Sequence, residues 1–290
     1  MNDQDFVNAI SNAIYQSINI AIERQLKSQV LPFYTHAALT TLRNESRSIE
    51  PGRILRHGYK VYSQNDEDGL INEIFRRIRI KHQTFVEVGV GNGLENNTLC
   101  LLIQGWRGLW IEGNKDHCNF IQNKFRTAIN KNKLTLCQSF VNTENINDLI
   151  ERNGFHGEID LLSIDIDGND YHIFKVIDAI CPRVTMIEYN SKFPPPVKWV
   201  MKYNPQHLYD STDYFGASLK SYEILFAQKG YSLIGCNITG ANAFFIRNDL
   251  VGELFCKPFT AENHYEPARP WLARGFVSGK PANYKEYETI

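Results

Sequence analysis

Apolar positions follow two different rhythms along this chain. Over residues 1–50 they recur every three or four places, at Phe6, Ile10, Ile14, Ile18, Ile20, Ile22 and Leu26. That spacing puts them on one side of a helix, so one or two amphipathic helices are expected there. The plainer use for them is a packing or oligomerisation arm; a lid over a substrate site is the other. Pro51 and Gly52 break the pattern.

From residue 84 short apolar runs alternate with helical ones. Strands are expected over 84–88, 108–112, 134–137, 159–165 and 184–188, with helices over 94–104, 115–130, 146–153 and 171–179. Such alternation indicates a parallel sheet covered by helices on both faces. Phe193 and the three prolines after it exclude a regular central element. Residues 197–215, rich in aromatic and polar side chains, are expected to pass over the carboxyl edge of the sheet. A helix over 217–229 stopped by Gly230 and two last strands over 231–236 and 243–246 complete the order. The division expected is a helical N-terminal extension (1–58), a main α/β domain (59–250) and a tail (251–290) packed on the domain or on a partner.

Composition changes this picture little. A content of 43% hydrophobic and 22% charged residues suits a globular protein, and a net charge of -1 gives no overall case for nucleic acid. No apolar run reaches membrane-spanning length, and the start of the chain lacks the basic and apolar stretches of a secretory signal. The six cysteines contain no CxxC pair and read as reduced thiols, so a cytoplasmic protein is expected.

The candidate chemistry gathers at strand ends. In a parallel sheet the ligand crevice lies beyond the carboxyl ends of the strands, and four strands here finish in Glu87, Glu112, Asp165 and Glu188. After Glu87 come Gly89, Gly91 and Gly93, a turn that lets the backbone approach a ligand closely. Glu112, one strand–helix unit later, can accept both hydroxyl hydrogens of a ribose. A dinucleotide would suit that much, but its pyrophosphate turn prefers Gly-x-Gly-x-x-Gly. A carboxylate beside the turn favours a cationic or amino-bearing ligand. Before the strand, Ser63 or Asp66 can cap a helix, while Gln64, Glu67 and Asp68 can border the ligand.

Glu87-x-Gly89-x-Gly91-x-Gly93 with Glu112 resembles the cofactor motif of class I S-adenosylmethionine-dependent methyltransferases. The stretches 62–69 and 164–170 resemble the FkbM-like branch, although Asp165-Ile-Asp167-Gly168 stands where members more usually carry Asp-Val-Glu-Gly. The resemblance covers about residues 60–248. It implies a Rossmann-like seven-stranded sheet with an antiparallel final strand, and O-methylation of a small polar or sugar-containing acceptor. It implies a cofactor site of Gln64, Glu87, Gly89, Gly91, Gly93, Glu112, Ser139, Phe140 and Asp165. Glu87 and Asp165 would lie toward the methionine end, Glu112 at the ribose and Ser139 with Phe140 at the adenine.

Asp165, Asp167, Glu188 and Asn190 are the catalytic candidates, with Asp167 or Glu188 as the base for an acceptor hydroxyl. Competing with that use, Asp165 or Asp167 with Glu188 and Asn190 offers hard oxygen ligands for Mg²⁺. His172 reads as a helix-face residue. Tyr203, His207, Tyr209, Asp210, Asp213 and Tyr214 can form a substrate wall. Two other readings stay open: a nicotinamide-dependent oxidoreductase, and a non-catalytic binding or assembly protein. RNA methylation is disfavoured by the lack of a basic run or an Asn-Pro-Pro-Tyr motif. The partners expected are a small-molecule acceptor and, through the N-terminal helices or the tail, a second copy of the chain.

Overall fold

The computed structural model describes residues 3–25, 30–274 and 287–288. Leu26 of the N-terminal apolar series and most of the tail beyond Arg274 lie outside the described residues. Strands β1 (Thr84–Val88), β2 (Arg107–Glu112), β3 (Leu134–Gln138), β4 (Gly157–Ile164) and β5 (Ile180–Glu188) alternate with helices. The short β6 (Val200–Met201) is followed by β7 (Tyr231–Cys236) and β8 (Asn242–Arg247), and β9 (Tyr287–Glu288) pairs with β6. One sheet takes seven of these in the order β3-β2-β1-β4-β5-β8-β7. β1 to β5 are parallel, and β8 runs antiparallel between β5 and β7. This is the Rossmann-like methyltransferase sheet. The connections reverse direction between β1 and β4, which places the crevice above those two strands.

Strand periodicity divides the core between the two faces. Val86, Val88, Leu109 and Leu162 pack on one side with Ile173, Phe174 and Tyr222. Phe85, Trp110 and Leu161 pack on the other, under Leu70, Ile71, Ile74 and Phe75 of the helix Glu67–Ile78. On the first side Phe226 lies between Phe174 and Phe245, with ring centroids 3.8 and 3.7 Å away. Each such buried ring contributes roughly 1.5–3 kcal/mol relative to exposure. Glu87 shares its strand face with Phe85, two residues back, and so points into the second core rather than along the strand axis.

Several helices differ from the sequence expectation. The helix expected over 94–104 is only Leu99–Ile103, because the Asn97 and Thr98 amides donate to Glu87 and the Leu94 amide to Asn92 Oδ1. The 115–130 segment divides at Phe125 into Lys115–Lys124 and Arg126–Asn130. Helix Leu219–Gln228 starts at a cap not foreseen, Ser218, whose hydroxyl accepts from the Ser221 amide. Asp66 does not cap Glu67–Ile78 with its side chain. It is buried and pushed up to about 7 by that burial and by Glu67.

The N-terminal part forms the helices Asp3–Gln25 and Leu31–Asn44. In the first, Ile14, Tyr15, Ile18, Ile20 and Ile22 are all exposed. Residues after the sheet fold back to the segment before it: Arg53 donates to the Asn263 carbonyl at 3.0 Å, and Arg47 to that of Tyr265 at 2.7 Å. No disulfide joins the six cysteines. Among the described residues, no helix is long and apolar enough to cross a membrane.

Candidate functional site

A cavity of about 660 Å³ opens above the β1–β4 reversal. At one end Glu112 closes β2. One of its oxygens accepts from the Gly91 amide at 2.8 Å and the other from the Asn114 amide at 2.7 Å, so the carboxylate ties the glycine turn to β2. Ser139 and Phe140 follow β3; the Phe140 ring is 68% exposed and leans over Gly113, making an aromatic rim.

At the centre, Gly89 (φ 82°) passes against the Asp165 carbonyl, where a Cβ would collide. Asp165 follows β4, its amide held by the Val88 carbonyl at 3.0 Å. The fully buried Asp170 shapes the next turn by accepting from the Ile166 and Gly168 amides, both at 2.9 Å. Burial pushes its carboxyl up to about 6 against those donors. Asp167 takes a left-handed conformation (φ 51°), one that Asp tolerates better than most residues. Oxygens of Asp165, Asp167 and Glu188 all fall within 4.8 Å of one another.

The far wall comes from the excursion after β6. Pro205, Gln206, His207, Leu208 and Tyr209 line the cavity. Asn169 holds this segment in place: its amide donates to the Asn204 carbonyl at 2.7 Å, and its oxygen accepts from the Asn204 amide at 3.2 Å. His207 stacks against Gly168, where no Cβ intervenes, and bonds the Asp167 carbonyl at 3.2 Å through Nε2. A carbonyl only accepts, so Nε2 carries the hydrogen. Tyr203 does not line the cavity; its hydroxyl meets Thr143 and Glu144. His172 is buried, with Nε2 on the Met201 carbonyl.

Of the residues singled out in sequence, Gln64, Glu87, Gly89, Gly91, Glu112, Ser139, Phe140, Asp165 and Asp167 come together around this cavity. Gly93 backs onto Trp110, Ile121 and Phe125 instead. Glu188 joins the two aspartates from the end of β5, outside the cavity lining. Asn190 is also outside it: its amide nitrogen donates to the Asp213 and Phe215 carbonyls at 2.7 and 3.2 Å and so anchors the excursion.

Glu87 is the most altered by its surroundings. Completely buried, it accepts from the Asn97 amide at 2.9 Å, the Thr98 amide at 3.2 Å and the Thr98 hydroxyl. Burial pushes its carboxyl up to about 7 in spite of these donors. Its structural work is to fold the loop beyond the glycine turn. Glu67 is equally buried and accepts from Asn237 at 2.7 Å and Asn242 at 2.9 Å, fastening the Gln64 segment to the β7–β8 hairpin.

Asn96 and Asn242 are among the cavity-lining residues that were not foreseen. The Asn96 amide nitrogen and the Asn242 amide oxygen are buried without hydrogen-bond partners. Their signal exists only once the rest of each amide is seen to be occupied.

No curated protein matches the chain. Solved structures resembling it include a Staphylococcus aureus protein provisionally described as a caffeoyl-CoA O-methyltransferase. It has 16% identity and a TM-score of 0.43, and the match covers 81% of this chain and 99% of that one. A methyltransferase from Clostridium acetobutylicum matches at 11% identity and TM-score 0.40, over 73% of this chain and 98% of that one. A SAM-dependent methyltransferase from Aquifex aeolicus matches at 9% and 0.38, over 72% and 95%. Residues 72–210 match the family model for the methyltransferase FkbM domain. With the strand order, the glycine turn and the carboxylates at the strand ends, that match, over just under half of the chain, makes residues 72–210 similar to the FkbM domain of the class I methyltransferases.

Proposed function

We propose that this protein binds S-adenosylmethionine and transfers its methyl group to an oxygen of a small polar or sugar-containing acceptor. The observation that carries the reading is the single cavity running from Glu112 and Phe140, past Gly89 and Gly91, to Asp165, Asp167 and the 205–209 wall. Its two ends differ in kind: a carboxylate beside an aromatic rim suits a nucleoside, and clustered carboxylates suit a hydroxyl acceptor.

When bound, the cofactor supplies a methyl group on a positively charged sulfur, open to attack by a nucleophile. Glu112 accepts from the ribose hydroxyls and Phe140 covers the base. Gly91, with no atom near the place of a Cβ, leaves room for the ligand against the backbone. The carboxylates of Asp165, Asp167 and Glu188 favour the ammonium of the amino-acid end and the sulfonium electrostatically. Asp167 or Glu188 takes the acceptor proton. Their three clustered carboxylates also match the hard oxygen ligands of a divalent cation such as Mg²⁺, which would polarise the acceptor oxygen and take up the negative charge. The six free thiols fit a reducing compartment, and the reading places the protein in the cytoplasm.

Incubation with methyl-labelled S-adenosylmethionine and a panel of hydroxylated metabolites and sugars tests the acceptor. Label in a base-stable ether supports oxygen transfer; label on nitrogen or carbon contradicts it. Loss of turnover with a chelator, restored by Mg²⁺, supports the cation, and unchanged turnover removes it.

A further inference from the structure

The loop joining the glycine turn to helix Leu99–Ile103 uses nearly all of its polar groups internally. The Asn97 and Thr98 amides and the Thr98 hydroxyl go to Glu87, and the Trp110 indole donates to that same hydroxyl. The Asn97 side chain donates to Ser163 on β4 at 3.3 Å. Asn96 differs. Its oxygen accepts from the Leu99 amide at 3.0 Å, and since a backbone N–H only donates, the orientation of the side-chain amide is fixed. The remaining group is therefore NH₂, a donor. It has no hydrogen-bond partner, its residue is 5% exposed, and that residue lines the cavity.

We propose that Asn96 reads the carboxylate at the amino-acid end of the cofactor, an inference that rests on the S-adenosylmethionine reading above. The adenosine-facing groups Glu112, Ser139 and Phe140 close β2 and β3. The Asn97–Ser163 bond instead holds the Asn96 loop over β1 and β4, toward the opposite end of the cavity. Glu95 and Asp165 line the same cavity and bring carboxylates to it. They suit an ammonium and oppose a carboxylate, so a ligand carrying both needs a donor that adds no further negative charge. Lys60 does not fill that need, because its ammonium already meets Glu95 at 2.6 Å. The Asn96 NH₂ does, and Glu87 sets its position by folding the loop.

Calorimetric titration with two nucleosides tests this. S-adenosylhomocysteine carries the amino-acid end, and 5′-methylthioadenosine lacks it while keeping adenine, ribose and sulfur. Asn96→Asp keeps an oxygen for the Leu99 amide and replaces the donor with a negative acceptor. It should weaken S-adenosylhomocysteine roughly 10- to 100-fold while leaving methylthioadenosine within about twofold. Asn96→Ser, whose hydroxyl can still receive the Leu99 amide without adding charge, should give a smaller loss confined to the same ligand. An unchanged preference between the nucleosides in both variants, or equal losses for both nucleosides, would overturn the role of Asn96 alone. Failure of the unsubstituted protein to bind either nucleoside would overturn the cofactor reading and this inference together.

Discussion

At the residue scale, Glu87 and Glu112 show how one residue type takes two roles. Both end strands that point at the crevice, but Glu112 accepts from the Gly91 amide of the glycine turn, while Glu87 is buried and spends its oxygens on the Asn97 and Thr98 amides and the Thr98 hydroxyl. The alternation Phe85, Glu87 was legible in the sequence and points Glu87 away from Val86 and Val88; the donors that receive it, ten and eleven residues on, were not. Glu112→Ala should weaken cofactor binding by about 1.5–3 kcal/mol, read by calorimetry, through lost ribose hydrogen bonds and a loosened Gly91. Glu87 also gives a pH signature. Its carboxyl sits at about 7 in the fold and near 4.5 when unfolded. The folded state therefore holds the proton more tightly, and the stability this contributes is full below pH 4.5 and lost as pH rises through 7. The unfolding free energy of the wild type, measured against Glu87→Gln, should fall by about 3 kcal/mol between pH 4.5 and 8. Parallel stability curves for the two proteins would show that Glu87 is ionised in the fold.

At the element scale, the parallel strands were readable because buried strands are short apolar runs between turns, and each lies within a few residues of its expected place. The loops were harder. The 94–98 stretch was expected to be helical, yet the Asn97 and Thr98 amides go to the Glu87 carboxylate ten and eleven residues earlier. The excursion after β6 was expected over the carboxyl edge, and its Pro205–Tyr209 stretch is there; Asn169, which clamps it, carried no signal in the sequence because its partner is a backbone 35 residues later. Asn169→Ala should free that wall. Limited proteolysis between 204 and 212 should quicken about tenfold, the equivalent of one or two lost hydrogen bonds, with little change in global melting. Asp167→Asn, at the turn facing this wall, should lower turnover more than cofactor affinity; an equal loss of both would remove its proposed catalytic role.

At the scale of the whole molecule, the sheet order and the site agree, but the helix Asp3–Gln25 stands apart. Ile14, Ile18 and Ile22 repeat every four residues and are about half exposed, a row suited to the ridge of a matching helix. β-Branched residues give a helix little intrinsic stability, so such a row gains most from being covered. If a second copy covers it, Ile14→Asp with Ile18→Asp should convert a dimer to a monomer in light scattering; a wild-type monomer at the same concentration would contradict that arrangement. The central claim concerns the cofactor, and titration with S-adenosylmethionine, S-adenosylhomocysteine and NAD tests it most directly. The cavity between Glu112 and Asp165 predicts saturable binding of both sulfur nucleosides and none of NAD, whereas NAD binding without either sulfur nucleoside would contradict the account.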